Sequence, residues 1–467
     1  MTAPKPGPSS APQPGKLDRS RPPRPGPVTP FDFPTWHGHR LTNGMRLMVA
    51  HQPGVPLVHV EVLLDLGGDA DPLDRRGLTA LAAGLLDEGT RSYSSVEIAD
   101  QVELLGASLF TTGDWDGVYV GSSSLSAHVE QLFALKAEVL RWPTFPEVEV
   151  ERLRAMRLAA LANRANQPGF AAGRRALEMT YGEAHPYGVG LAGTTAGLAA
   201  VEATDLDRWH RLRARPDRAT LVAVGDTDLD RMEALAERYF GDWTAPAGVA
   251  LTVPAAPPAA SARRVAILDR PEAAQTELRL MRVGPKRSSP DYLAARLVNL
   301  MFGGKFTSRL NLNLREERGI TYSVHSRLGG RRGPGPFTIA CAVDNEAAGV
   351  AVTEILGELA RLAGEPASPD ELDDARNYLL GTFPYRVQTL EGVADHLAEI
   401  ALHGLPADYY STLPEAVEQL PAEAVAACAA SLLVGSDLAI VAAGPADVLR
   451  PQLEALGNVE TAAPESL

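Results

Sequence analysis

His396, Glu399 and His403 come nearest to a metal-binding set. At i, i+3 and i+7 they can share one face of a helix, and two imidazoles with a carboxylate could hold a cation. A plainer assignment competes: His403 directly precedes Gly404, and a histidine in the last turn of a helix meets the dipole favourably. The remaining histidines are scattered without ligand spacing. Nucleophile chemistry is equally bare. There is no Gly-x-Ser-x-Gly elbow, and neither of the two cysteines, Cys341 and Cys428, has a histidine in a telling context. Gly303-Gly304 is followed by Lys305 but lies outside any Gly-x-x-x-x-Gly-Lys-Ser/Thr loop, so no phosphate cradle is expected. The glycine pair does permit positive φ or close approach of another backbone. An autonomous enzyme would therefore rest on the His396 cluster alone.

Composition narrows the classes further. A chain of 467 residues, 45% hydrophobic and 22% charged, has the length and balance of a globular protein with two or more domains. A net charge of −14 argues against a nucleic-acid surface, which needs clustered Lys and Arg; here the arginines are spread among glutamates along helical stretches. Two isolated cysteines suggest neither a disulfide framework nor a cysteine zinc site, in keeping with a reducing compartment. No apolar run is long enough to cross a bilayer, so no membrane partner is expected. Residues 1–34 are rich in Pro, Ser, Gly and basic residues without an apolar stretch. They read as a disordered tail rather than a signal peptide, and the expected location is cytoplasmic.

The elements that must position any site come in a repeated order. Asn43-Gly44 marks a turn, followed by strands over 45–50 and 57–66 and a helical segment over 77–87. Ser94 and Glu97 form a capping-box pattern before a helix that Gly106 closes. Strands over 108–111 and 118–122, three or four helices to about 213, a strand over 219–224 and a helix over 229–239 complete this half. After an Ala/Pro/Val-rich linker at 245–262 the order restarts. Strands fall at 265–268 and 277–283, helices at 292–301 and 307–317, and strands at 321–326 and 337–343. A helical tract to 430 and a strand at 438–443 follow. The expected fold is α+β: two homologous α/β-sandwich halves, 35–244 and 263–456, each a mostly antiparallel sheet packed with helices. Residues 457–467 read as a C-terminal tail.

Several segments, taken in order, carry a resemblance. They are Leu41-Thr42-Asn43-Gly44-Met45-Arg46, Gly77-Leu78-Thr79 through Gly89-Thr90, and His185-Pro186-Tyr187-Gly188 followed by Gly193-Thr194. In the second half they are Gly303-Gly304 through Ser308-Arg309-Leu310, Leu314-Arg315-Glu316 and Gly319-Ile320-Thr321-Tyr322. Over roughly residues 36 to 450 the chain resembles the pitrilysin/insulinase-type zinc peptidases, particularly the mitochondrial-processing-peptidase branch and its bacterial relatives. In such peptidases a helix bears His-x-x-Glu-His, whose histidines bind zinc while the glutamate serves as general base, and a later glutamate completes the site. Here the motif positions read Ala80-Leu81-Ala82-Ala83-Gly84, and the later glutamate falls near Ala160. Ala80, Ala83, Gly84 and Ala160 offer no donor where catalytic zinc needs about three. Asp87, one turn on, cannot replace that set. No cofactor is expected on this chain.

The second half keeps the features that the resemblance assigns to substrate holding. Arg315 and Tyr322 lie seven residues apart, the spacing of the pair that such peptidases set beside the metal. A guanidinium fork can hydrogen-bond a peptide carbonyl, and a phenol can donate to the oxyanion formed as water attacks. Gly303 and Gly304 correspond to a glycine-rich loop near the substrate. The resemblance thus implies a non-catalytic, peptide-binding subunit of a heterodimeric peptidase, its zinc carried by a homologous partner with His-x-x-Glu-His. The alternative is a structural scaffold in a larger complex.

Overall fold

The computed structural model describes residues 31–244, 252–258, 260, 262–435 and 437–462. Its first sheet comprises β1 (His37–Arg40), β2 (Arg46–His51), β3 (Leu57–Leu64), β4 (Ser108–Gly113), β5 (Val118–Leu125) and β6 (Ala219–Gly225). These six strands stand in the order β1-β2-β6-β3-β5-β4. The second comprises β7 (Arg264–Asp269), β8 (Gln275–Val283), β9 (Val324–Leu328), β10 (Pro336–Asp344), β11 (Ala439–Gly444) and β12 (Val459–Ala462), in the order β12-β7-β11-β8-β10-β9. Only β2/β6, β7/β11 and β7/β12 pair in parallel; the other neighbours are antiparallel. The chain is therefore α+β with two helix-packed, mostly antiparallel sheets, as the patterning indicates.

β6 and β11 are apolar along almost their whole length, the signature of strands covered on both faces, and β3 is buried on both faces too, although one of them carries His59 and Glu61. The cover is exchanged between the halves. The helix Pro168–Tyr181 of the first half lies on β8 and β11 of the second. Its Ala171, Ala172, Ala176 and Met179 pack with Ala266, Leu268, Met281, Ala439, Val441 and Ala443. Small side chains on both sides let helix and sheet approach closely. Reciprocally, the helix Leu390–His403 of the second half lies on β3 and β6. Its Val393, Ala394, Leu397 and Ile400 share one core with Met48, Ala50, Leu63, Val222 and Val224.

Three expectations need correction. Residues 457–467 are not all tail, because Val459–Ala462 pairs with β7 and supplies the neighbour that strand would otherwise lack. The tail assigned to 1–34 does not hold at its end. Phe33 is buried, its ring 5.3 Å from Tyr410, and Phe31 meets the edge of Phe383 at 5.7 Å, because apolar rings there fill a groove of the second half. Residues 1–30 lie outside the described residues. The strand expected at 321–326 runs instead over Val324–Leu328, and β1 was not anticipated. The linker assigned to 245–262 has no regular structure over 252–258, and residues 245–251, 259 and 261 lie outside the described set. Among the described residues no single helix is long and apolar enough to cross a membrane.

Candidate functional site

The degenerate metal motif lies on a six-residue helix, Leu78–Ala83, entered through Gly77 at φ 99°. Its first turn is fixed by Asp71, whose carboxylate accepts from Thr79 N at 2.9 Å and Thr79 Oγ1 at 2.5 Å. Arg213 pairs with the same carboxylate at 3.1 Å, and Trp209 Nε1 donates to Thr79 Oγ1 at 3.0 Å. The scaffold of the motif is thus intact. Its lining is not. Ala83 is fully buried, Ala80 is half-buried and Gly84 caps the helix.

Against Gly84 stands a residue that the sequence did not single out. Arg157 Nη2 lies 2.9 Å from where a Gly84 Cβ would sit, and Leu153 Cδ2 lies at 3.3 Å. Arg157 Nε is buried without a hydrogen-bond partner, and burial pushes the guanidinium pKa down. Ala160, one turn further along the helix Glu147–Ala165, is exposed. Asp87 accepts from Thr111 Oγ1 at 3.0 Å, and burial raises its pKa. Among the described residues no group of three or more His, Cys, Asp or Glu could hold a metal ion. The zinc that the fold implies does not fit here: the positions are hydrocarbon, and the neighbouring charge is itself cationic.

In the second half Gly303 and Gly304 form a π-helical turn, Leu300–Gly304, pressed against β9. A Cβ on Gly303 would come within 2.7 Å of Ser326 Oγ, and one on Gly304 within 2.5 Å of Asn299 Nδ2. Close packing requires this glycine pair, so it does not form an open loop. The next segment is pinned by Asn311, whose Nδ2 donates to Val324 O at 2.8 Å and Ser308 Oγ at 3.1 Å. Arg309 grips Glu371 through two bonds of 2.7 Å, and Lys305 pairs with Asp374. This network holds the π-helical segment Asn311–Glu317, which ends at Gly319 with φ 64°.

Arg315 projects from that segment into a stack. Its guanidinium carbon is 4.4 Å from the Phe306 ring centre and 5.1 Å from that of Tyr322. Tyr322 lies in the bend just before β9, not on the strand, and is 86% exposed; Phe306 is 62% exposed. The structure thus brings Arg315 and Tyr322 together and adds Phe306. Its one sequence signal is its place between the glycine pair and Arg315. Cation–π contacts at such exposed sites are worth about 0.5–1 kcal/mol, little recompense for leaving two rings in water. Glu316, 3.3 Å from Arg315 Nε, is an exposed and weak partner.

The His396 cluster is spoken for. Glu399 is held by Arg287 and by the Tyr410 hydroxyl, and His396 Nδ1 bonds Gly392 O at 2.6 Å. Burial lowers the His403 pKa to about 4, so its ring is neutral at pH 7. The charge–dipole contact expected at Gly404 is therefore absent, although Gly404 does end the helix at φ 62°.

The same architecture recurs in known proteins. Residues 46–194 match the family model for insulinase (peptidase family M16), and residues 200–379 match that of the peptidase M16 inactive domain. An uncharacterized zinc protease of Mycobacterium leprae is 28% identical over 351 residues, covering 73% of this chain and 76% of that protein. A non-peptidase homolog of Helicobacter pylori is 21% identical over 393 residues, 82% of this chain and 88% of that one. The crystal structure of a peptidase M16 inactive domain from Pseudomonas fluorescens superposes with TM-score 0.81 at 26% identity, covering 88% of this chain and 98% of that one. The chain belongs to the insulinase-type peptidase family M16, as a member without the metal ligands of its catalytic relatives.

Proposed function

We propose that this chain is the substrate-holding, non-catalytic subunit of a two-chain zinc peptidase. A homologous partner bearing His-x-x-Glu-His would supply metal and general base. One observation carries the reading: two exposed rings, Phe306 and Tyr322, flank the Arg315 guanidinium in a chain whose own metal positions are hydrocarbon. A fixed guanidinium beside a free phenol suits a peptide carbonyl and the oxyanion that forms on it. The test is reconstitution with a metal-bearing partner. Arg315→Ala should lower turnover of the pair by roughly 10²-fold, the usual weight of one oxyanion-type contact. Tyr322→Phe should lower kcat more than it alters KM. Unchanged turnover in both variants would remove the role.

The alternative is a scaffold role, with which the Helicobacter relative's description as a non-peptidase homolog is compatible. Co-purification separates the two readings. A His-x-x-Glu-His homologue as companion supports the first, and a larger assembly without one supports the second.

A further inference from the structure

Beside β9, the outer strand of its sheet, runs a cleft of about 590 Å³ whose walls come from three other elements. They are the helices Tyr292–Asn299, Pro369–Arg386 and Leu390–His403. Arg296, Arg327 and Arg386 line it, one from each of the first helix, the strand and the second helix. None of the three has a carboxylate partner among the described residues. The cleft's carboxylate, Glu399, is already committed to Arg287 and Tyr410. In a chain of net charge −14, three free guanidiniums around one depression are an asymmetry that no fold contact explains.

The arginines reach the cleft from three different elements. Arg386 and Arg296 bear electrostatically on His396, whereas Arg327 bears on His325. A single small anion would leave part of this charge unmet. A chain carrying several carboxylates would not. Tyr378 adds an exposed aromatic side chain, and β9 gives one side the edge of a sheet, where extended chains dock. Leu300 and Gly304 of the glycine turn also line it, so the cleft adjoins the segment that leads to Arg315.

We infer that this cleft binds acidic peptide segments in extended form, their carboxylates meeting Arg296, Arg327 and Arg386. The inference rests on the reading of the chain as a peptide-holding subunit and names the peptides it holds.

The test uses the full chain alone and fluorescence anisotropy with two labelled octapeptides, one Glu-rich and one Lys-rich. The Glu-rich peptide should bind, more weakly as salt rises, and the Lys-rich one should not. The double variant R327E/R386E should weaken acidic-peptide binding by roughly tenfold or more while keeping the wild-type circular dichroism melt. Equal binding of both peptides, or undiminished binding by a folded double variant, would overturn the inference. Full competition by inorganic phosphate at equal concentration would reduce the cleft to a free-anion site and overturn it as well. The two readings fail separately. If Arg315→Ala abolishes turnover of the reconstituted pair while R327E/R386E changes neither affinity nor charge preference, only the cleft assignment falls. If no metal-bearing partner ever yields turnover, the subunit role falls, and the anisotropy of the isolated chain still reads the cleft.

Discussion

Arg157 makes the loss of the metal site chemical as well as compositional. Its Nη2 lies where a side chain at Gly84 would begin, so an imidazole there must displace the guanidinium and press on Leu153, and a metal ion brought to it would meet a like charge. Gly84→His alone should destabilise the chain by about 1–3 kcal/mol, the usual range for overpacking, read as a shift of the urea midpoint. Arg157→Ala in the same chain should recover most of that loss. No recovery would mean that the guanidinium is not what crowds the site. The empty donor set at Ala80, Ala83 and Gly84 was legible through the family resemblance, which places the motif there, and through residue types that offer no donor. Arg157 was not, although its place three residues before Ala160 puts both on one helical face. The missing information was which face turns toward Gly84. Arg315 and Tyr322 were legible only because their spacing matches that of a pair in the resembling peptidases; their aromatic companion Phe306 depended on the path of a π-helical turn that no periodicity announces.

At the level of elements, the informative feature is that each half lends a helix to the other. Ala172 is fully buried on the lent helix Pro168–Tyr181, among the small residues of β7 and β11. Ala172→Leu should therefore cost about 1–3 kcal/mol in chemical denaturation, whereas the same change on an exposed face of a helix costs almost nothing. Leu397, fully buried on the helix that covers β3 and β6, should cost about 2–5 kcal/mol when cut to Ala. The sequence showed helices in both places and a strand at β3. It could not show which half supplies the second cover, because periodicity is local and the partner sheet is far along the chain. β1 and β12 escaped for another reason: they are short, and His37-Gly38-His39-Arg40 and Val459-Glu460-Thr461-Ala462 carry no apolar alternation.

Across the whole molecule, charge is buried where the halves meet. Glu61, almost fully buried on β3, has its pKa raised to about 8, first by burial and then by Asp395 on the lent helix opposite. Glu391 of that helix adds to the effect, while Lys136 opposes it. A folded value above the unfolded one means that stability from neutral Glu61 is full below about pH 4.5 and is lost as pH rises through about 8. Glu61→Gln should thus match the wild type near pH 5 and gain on it in Tm as pH approaches about 8.5. A difference that does not change with pH would show that Glu61 is ionised throughout. Lys136 is fully buried and donates to Val60 O at 2.5 Å and Val120 O at 2.9 Å. Burial lowers its pKa to about 7, and its titration favours the fold as pH rises above that value. Glu61 in turn raises the Lys136 pKa, so the Gln variant reads the titration of the pair, with the carboxyl's loss of stability at high pH as its sign.

The reciprocal loan of helices also governs what a protease can do to this chain. A cut at the junction between the halves severs one peptide bond but frees neither piece, since each fragment holds a helix embedded in the other's sheet. The nicked protein should migrate as intact material in gel filtration and fall into two bands only under denaturant. Made separately, either fragment would present an uncovered apolar sheet to water and should precipitate unless its counterpart is synthesised in the same cell.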